Sequence, residues 1–365
     1  LANESLTWET TTEVNFGLET GVFNDRLGLN VDVYDKLTSG LLLEAPVMNI
    51  SGYDKAWQNI GKLQNRGVEL TLRATPVMSK DFQWNVNANF ALNKTKILEL
   101  GQNGAPIYMT VTCLSGQNAA ILEEGGAVGD IFGYVTEGVY GWSDSEADGI
   151  TPRPGVAIQT GSERPGTMKL KDISGPEGVP DGKITADDRV IIGNSLPDWY
   201  GSFGTDITWK RFNLSAQFQY SFGNDVYNAN YNSIARFTGM SYNQSATWAN
   251  RWSDENLGST MYNVMMPGTV VSAFVEDASY LRCKTLRLTY SFPSAKWMKT
   301  AHINSLRAYL AADNLFVLTN YSGYDPEVYS KQGGSSMSGV LTSGFDYGCF
   351  PRARSFTIGV NLSFE

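Results

Sequence analysis

The sequence predicts an all-β chain, a transmembrane antiparallel β-barrel, on three observations. Apolar and polar residues alternate with a period of two over stretches of about 10 to 13 residues, near the length of a membrane-crossing strand rather than the usual ~5–6. Aromatic residues gather at the ends of those stretches: Phe23, Phe82, Trp84, Trp199, Tyr200, Trp209, Phe212 and Phe292. The connections alternate between short and long, as tight turns on one side of a membrane and extended loops on the other require.

Taken in order, Leu1 to Thr7 carry no signal-peptide pattern and read as the middle of something larger. Val14, Phe16, Leu18 and Val22 then alternate with Asn15, Gly17, Glu19 and Gly21. After the turn Asn24-Asp25-Arg26, Leu27, Leu29, Val31 and Val33 alternate with Gly28, Asn30, Asp32 and Tyr34, which predicts a hairpin. Leu70, Leu72 and Ala74 lead through a turn at Met78 to Asp81 into Trp84, Val86, Ala88 and Phe90. Two weaker strands are expected near 109–121 and 131–141, joined by a short turn at about 123–129. Phe203, Thr205, Ile207 and Trp209 follow and, across Lys210-Arg211, so does the cleanest run: Phe212, Leu214, Ala216, Phe218, Tyr220 and Phe222. Leu286, Leu288, Tyr290 and Phe292 precede a short turn at 293–303, then Ala308, Leu310 and Ala312. Phe356, Ile358, Val360, Leu362 and Phe364 close the series. The long connections are 38–65, 95–108, 142–198, 223–278 and 318–351. The expected total is about 11 strands, with the first and last running the same way. An odd count leaves a barrel incomplete, since a whole bacterial barrel has an even one, and an open edge is not viable in lipid.

Composition agrees. Charged residues make up 18% of the 365, below the roughly 25% of an average soluble domain. In their place stand 37 glycines and 12% aromatics, suited to strands with one apolar and one neutral polar face. The net charge is −9, with no Lys/Arg cluster, which excludes nucleic acid as a partner. No stretch nears the roughly 20 apolar residues of a spanning helix. Cys113, Cys283 and Cys349 show no metal-ligand spacing and read as buried or free thiols, with at most one disulfide among them.

Several phrases, spread along the chain in the family's order, resemble the SusC/RagA-type TonB-dependent outer-membrane transporters. They are Leu6-Thr7-Trp8-Glu9-Thr10, Asn65-Arg66-Gly67-Val68-Glu69-Leu70, Gly129-Asp130-Ile131-Phe132-Gly133-Tyr134, Ile192-Gly193-Asn194-Ser195-Leu196-Pro197, Tyr280-Leu281-Arg282, Asp313-Asn314-Leu315-Phe316, Gly323-Tyr324-Asp325-Pro326-Glu327 and Pro351-Arg352-Ala353-Arg354-Ser355-Phe356. The resemblance implies a 22-stranded barrel of which this chain, residues 1–365, is the C-terminal half, with the plug domain and the N-terminal barrel strands outside it. It also implies a SusD-like lipoprotein over the outer loops, the TonB complex as energy source through the missing N-terminal part, and oligosaccharides or peptides as cargo.

Trp142, Trp248 and Trp252 fall in outer loops, where they contact substrate or lid, belong to the headgroup girdle, or pack within their own loop. Asn85, Asn87, Asn89, Gln217 and Gln219 form a polar row facing the lumen, there to hydrate the pathway and contact the plug. Asp172, Asp181 and Asp188 suit a hard cation such as Ca²⁺, or simply a polar loop shaped by Gly and Asx turns; no other cofactor is expected. His302 reads as a solvated turn residue, and no catalytic constellation is found. Two rival readings remain: a passive porin or adhesin barrel, and a soluble all-β carbohydrate-binding protein whose alternating faces would be sandwich core.

Overall fold

The computed structural model describes residues 6–46, 52–53, 55–101, 104–159, 163–175, 177–234, 243–263, 269–328 and 341–364. Among them nine long strands form one antiparallel sheet, here called the wall: β1 (Thr10–Val22), β2 (Leu27–Ser39), β3 (Lys62–Met78), β4 (Phe82–Glu99), β5 (Trp199–Trp209), β6 (Phe212–Phe222), β7 (Tyr280–Ser291), β8 (Ile303–Thr319) and β9 (Ser355–Phe364). Their order in the sheet is their order in the chain, an up-and-down meander. The sheet is open, with β1 and β9 as its two edges.

The wall thus holds nine strands where the sequence predicts eleven. Residues 109–121 and 131–141 leave it, and parts of them join a smaller sheet described below. The reason is visible in their burial. Ala119 to Leu122 and Asp130 to Phe132 are buried in succession, so they lack the one wet and one apolar face that marks a wall strand. The turn at 123–129 belongs to the same excursion. The other short turns are found as expected, while the expected connections 95–108 and 142–198 are the two ends of one long connection. Residues 23–26, 79–81, 210–211 and 292–302 make short links at one end of the wall, and 40–61, 100–198, 223–279 and 320–354 make long ones at the other. Odd in number, β1 and β9 run the same way.

Two of the hairpin turns use left-handed backbone. Phe23, Asn24 and Asp25 all take left-handed φ of 55–61°, a conformation that Asn and Asp tolerate best. Lys210 does the same at φ 53°, closing a two-residue link across the Trp209–Phe212 pair.

Register then sorts the side chains. One row crosses all nine strands as Val22–Leu27–Ala74–Val86–Thr205–Ala216–Leu286–Ala312–Phe356. Displaced by one residue, the adjoining row is Gly21–Gly28–Arg73–Asn87–Gly204–Gln217–Thr285–Asp313–Ser355. The first row carries no charge; the second is small or polar throughout. Bulges at 74–77 and 283–285 absorb an extra residue without exchanging the faces.

The apolar face is open rather than packed: Phe16, Leu310, Leu318 and Ile358 are all more than half exposed. An apolar surface nine strands wide is untenable in water and appropriate in lipid. Aromatic pairs mark both ends of the band. Phe212 meets Tyr290 at 4.9 Å near the turns, and Trp199 stacks on Phe222 at 4.3 Å near the loops. Between them β6 extends about 33 Å at ~3.3 Å per residue. At a tilt of about 40° that gives about 25 Å of membrane normal, the height of the apolar band in barrels of this kind. No helix among the described residues is long and apolar enough to cross a membrane.

On the polar face two tyrosines lie over glycines. Tyr34 covers Gly67 and Tyr309 covers Gly359, where a Cβ would come within 2.3 Å of the ring. Glycine is required at both positions by this close approach.

The sorting predicts opposite outcomes for two adjacent residues. In lipid vesicles Leu72→Arg should cost about 2–4 kcal/mol in a urea titration of the folded fraction, whereas Thr71→Arg should cost less than about 1. Equal costs would contradict the assignment of faces.

Candidate functional site

Functional groups collect in two places, the polar face of the wall and the body formed by the long connections. On the polar face β5 supplies small side chains, Ser202 and Gly204, and its neighbours lean over them. A Cβ on Gly204 would stand 2.2 Å from Gln217 Oε1 and 2.4 Å from Asn87 Oδ1. The expected polar row is thereby brought together on one face. Asn85 Oδ1 accepts from Thr75 Oγ1 (3.0 Å) and Gln83 Nε2 (3.2 Å), and Asn89 Oδ1 accepts from the Ser202 amide. Gln217 Nε2 donates to Ser202 Oγ and Gln219 Nε2 to Tyr280 Oη, each at 3.2 Å. Two open hollows of about 320 and 510 Å³ lie here, the first against Asn85, Asn87 and Gln217, the second against Asn89, Gln217 and Gln219.

The long connections fold into a body with its own core. Ile107–Val111, Gln117–Leu122, Asp130–Gly133 and Val190–Asn194 form a four-stranded sheet. Ile131, Ala120 and Val111 from it pack with Met168 and Leu170, with Tyr227, Trp248 and Phe274, and with Phe345. Three connections, 100–198, 223–279 and 320–354, therefore share one apolar core, worth about 1.5–3 kcal/mol for each large side chain fully buried.

Five of the family phrases make joints of this body. Asp130 and Asn194, from two of them, meet side by side: Asn194 Nδ2 donates to Asp130 Oδ1 at 2.5 Å and the Ala127 amide to Asp130 Oδ2 at 2.8 Å. Three others converge at the rim of the wall. Arg282 of β7 reaches Asp325 Oδ1 through Nη2 at 2.5 Å and Glu327 Oε2 through Nε at 2.7 Å. Arg352 Nε is 3.0 Å from the same Glu327 oxygen, and the Arg352 amide donates to Asp325 Oδ2 at 3.0 Å. The Arg282 and Asp325 side chains are only 3% and 5% exposed. The network clamps connection 320–354 to the wall.

The three tryptophans separate. Trp248 and Trp252 are buried within the loop body, Trp248 edge-on to Tyr262 with ring centroids 6.2 Å apart. Packing within their own loop, the alternative reading of the sequence, is where the structure puts both. Trp142 is half exposed, its Nε1 donating to Asp254 Oδ1 at 2.9 Å. Three further exposed aromatics, Tyr324, Tyr347 and Phe350, stand on connection 320–354. None of the three is singled out as a contact residue by the sequence, although an aromatic set among Gly, Ser, Asp and Pro without alternation is the signal that marks them.

Asp172, Asp181 and Asp188 share one loop, and each of the three carboxylates accepts from a backbone amide of that loop. Among the described residues no group of three or more His, Cys, Asp or Glu side chains is placed to hold an ion. The carboxylates hold their own backbone. Asp188 accepts from the Ile173, Ser174 and Thr185 amides at 2.9, 3.1 and 2.7 Å. Asp172 Oδ2 accepts from Gly182 N and Asp181 Oδ1 from Lys183 N. Burial alone would raise the Asp188 pKa; the three amides and the neighbouring Asp172 outweigh it and hold the carboxyl below its ordinary value. No disulfide joins Cys113, Cys283 and Cys349. Burial pushes Cys113 up to about 12, and Cys283 lies on the wall's apolar face, opposite Phe218 and Phe316. His302 takes a left-handed φ of 55° in the turn before β8.

A wall with one lipid-facing and one polar face, tight turns at one end and a folded loop body at the other defines an outer-membrane β-barrel protein. The sequence model of the family described as TonB dependent receptor-like, beta-barrel matches residues 1–315, and the chain belongs to that family. Within it the likeness is to SusC/RagA-type proteins. The chain is 33% identical to TonB-dependent receptor P3 of Formosa agariphila, over 100% of its own length and 35% of that protein. It is 26% identical to TonB-dependent receptor SusC of Bacteroides thetaiotaomicron, over 99% of itself and 32% of SusC. Among solved structures, the RagAB peptide transporter superposes with a TM-score of 0.79 at 25% identity, covering 100% of this chain and 36% of the matched one. The chain thus spans about a third of the length of the curated relatives it matches. These relatives are receptors and transporters, not enzymes.

Two outcomes follow for the loop body. Arg282→Met leaves Asp325 and Glu327 without their buried cation and should cost about 3–5 kcal/mol, read as protease cleavage within 320–354 under conditions where the wild type resists. The Asp188 stabilisation, from a lowered pKa, should be complete above the unfolded value of about 3.9 and disappear as pH falls through the folded value. Asp188→Ala should remove it at neutral pH, seen as faster hydrogen exchange at Ile173, Ser174 and Thr185.

Proposed function

We propose that the full protein is an active outer-membrane importer of oligosaccharides or peptides, energised through TonB and working with a SusD-like surface lipoprotein. The observation that carries this reading is the polar row crossing nine strands beneath a folded loop body. It is a wall suited to line a wide aqueous passage, and larger than a simple pore's short loops would need. In this reading the chain is part of a larger barrel whose remaining strands pair with β1 and β9, and whose plug domain lies against Asn87, Gly204 and Gln217. Half-exposed Trp142, together with Tyr324, Tyr347 and Phe350, supplies flat apolar surfaces for cargo or for the lipoprotein. The likeness to SusC and to the RagAB peptide transporter supports such a partnership. A plugged barrel opens only when force is applied, so uptake should need the proton-motive force of the inner membrane.

The test is uptake by cells expressing the full-length protein, given fluorescent oligopeptides or oligosaccharides of graded length. Accumulation of one class that stops on adding an uncoupler is expected. Uptake unaffected by the uncoupler would establish a passive pore instead, and no uptake of either class would overturn the cargo assignment.

A further inference from the structure

At the turn end of the wall the charge runs against the rest of the chain. The four turns carry Arg26, Lys80, Lys210, Arg211, Lys296 and Lys299 against two carboxylates, Asp25 and Asp81. Their net charge is +4 in a chain whose total is −9. Arg26 is committed to the fold: its Nε and Nη2 donate to the Thr75 and Pro76 carbonyls at 3.1 and 2.7 Å. The other five are exposed, and none of them is in an ion pair among the described residues.

Exposed aromatics border the same rim: Trp84, Trp209, Phe212, Phe292 and Trp297. Lys210 Nζ stands 5.8 Å from the Trp209 ring centroid. The short helix Lys296–Thr300 repeats the arrangement. Met298 is buried at 1% exposure, while Lys296, Trp297 and Lys299 are exposed. Aromatics at the edge of an apolar band, with lysines reaching beyond them, are the chemistry of a lipid headgroup boundary.

We propose that this rim binds the phosphates of anionic phospholipids in the leaflet that the turns face, so that the barrel carries a shell enriched in anionic lipid on its turn side. The cations have no internal partner to neutralise them, and the aromatic edge places them at headgroup depth. Basic side chains at that depth attract anionic lipid over about a Debye length. The proposal rests on the reading of the wall as membrane-spanning, and the test separates the two.

The full-length protein is reconstituted into membranes with spin-labelled phosphatidylglycerol or phosphatidylcholine, and the motionally restricted lipid is measured by electron spin resonance. Phosphatidylglycerol should associate about threefold more strongly than phosphatidylcholine, an advantage lost in about 1 M NaCl. In the variant Lys80→Gln, Lys210→Gln, Arg211→Gln, Lys296→Gln, Lys299→Gln, the preference should fall to about one while the restricted phosphatidylcholine is unchanged, which also shows that the barrel is intact. Equal association of the two lipids with the wild type, or a preference that survives in the variant, would overturn the proposal alone. Absence of any restricted lipid would overturn the membrane wall with it.

Discussion

Everything in this chain depends on the two-residue period of a β-strand being held in register across nine strands. Pairing fixes which residues share a face, and a slip of one position in any strand would bring charge such as Arg73 or Asp313 into the row occupied by Ala74 and Ala312. In water such a slip is resisted by core burial. Here the same penalty arises from lipid, where an exposed charge near the midplane costs about 2–4 kcal/mol. The alternation is therefore both a pattern and the source of the wall's specificity. Two of the irregularities, at 74–77 and 283–285, are bulges that leave the faces unexchanged.

With the apolar side chains of the wall turned to lipid, the conventional hydrophobic core must be found elsewhere, and it is in the loops. The 15 buried apolar residues of the largest cluster come from the long connections and the elements within them. Connections of this length would otherwise carry a large ordering cost. Here they form a second folded body, joined to the wall through Arg282, Asp325, Glu327 and Arg352. Such a buried charge network is weak support for stability in itself, but removal of one member leaves the others uncompensated. It therefore favours a single seating of the connection 320–354.

The wall was largely legible in the sequence because lipid imposes a rule that reads locally. The run Phe212 to Phe222 announces its faces without any knowledge of its neighbours. The loop body was less legible. Strands such as Asp130–Gly133 are four residues long and buried throughout, so they leave no alternation to find, and two of their segments were counted as wall. Trp248 and Trp142 look alike in sequence, and only the tertiary packing separates a core ring from an exposed one. Asp172, Asp181 and Asp188 are open to two readings because Asx turns and cation loops draw on the same residues. Arg282, Asp325 and Arg352 stood out as phrases whose partnership depended on contacts 27 to 43 residues apart.

The most direct measurement is a spin-label scan of β6 in the full-length protein, reconstituted in lipid with Cys113, Cys283 and Cys349 replaced by serine. Labels are placed in turn from Asn213 to Ser221, and their collisions with oxygen and with a water-soluble nickel complex are compared. Labels at Leu214, Ala216, Phe218 and Tyr220 should favour oxygen, and those at Ser215, Gln217 and Gln219 the nickel complex, with a period of two throughout. A scan without that period, or with the water-soluble reagent reaching Leu214, Ala216, Phe218 and Tyr220, would contradict a wall set between lipid and a polar passage.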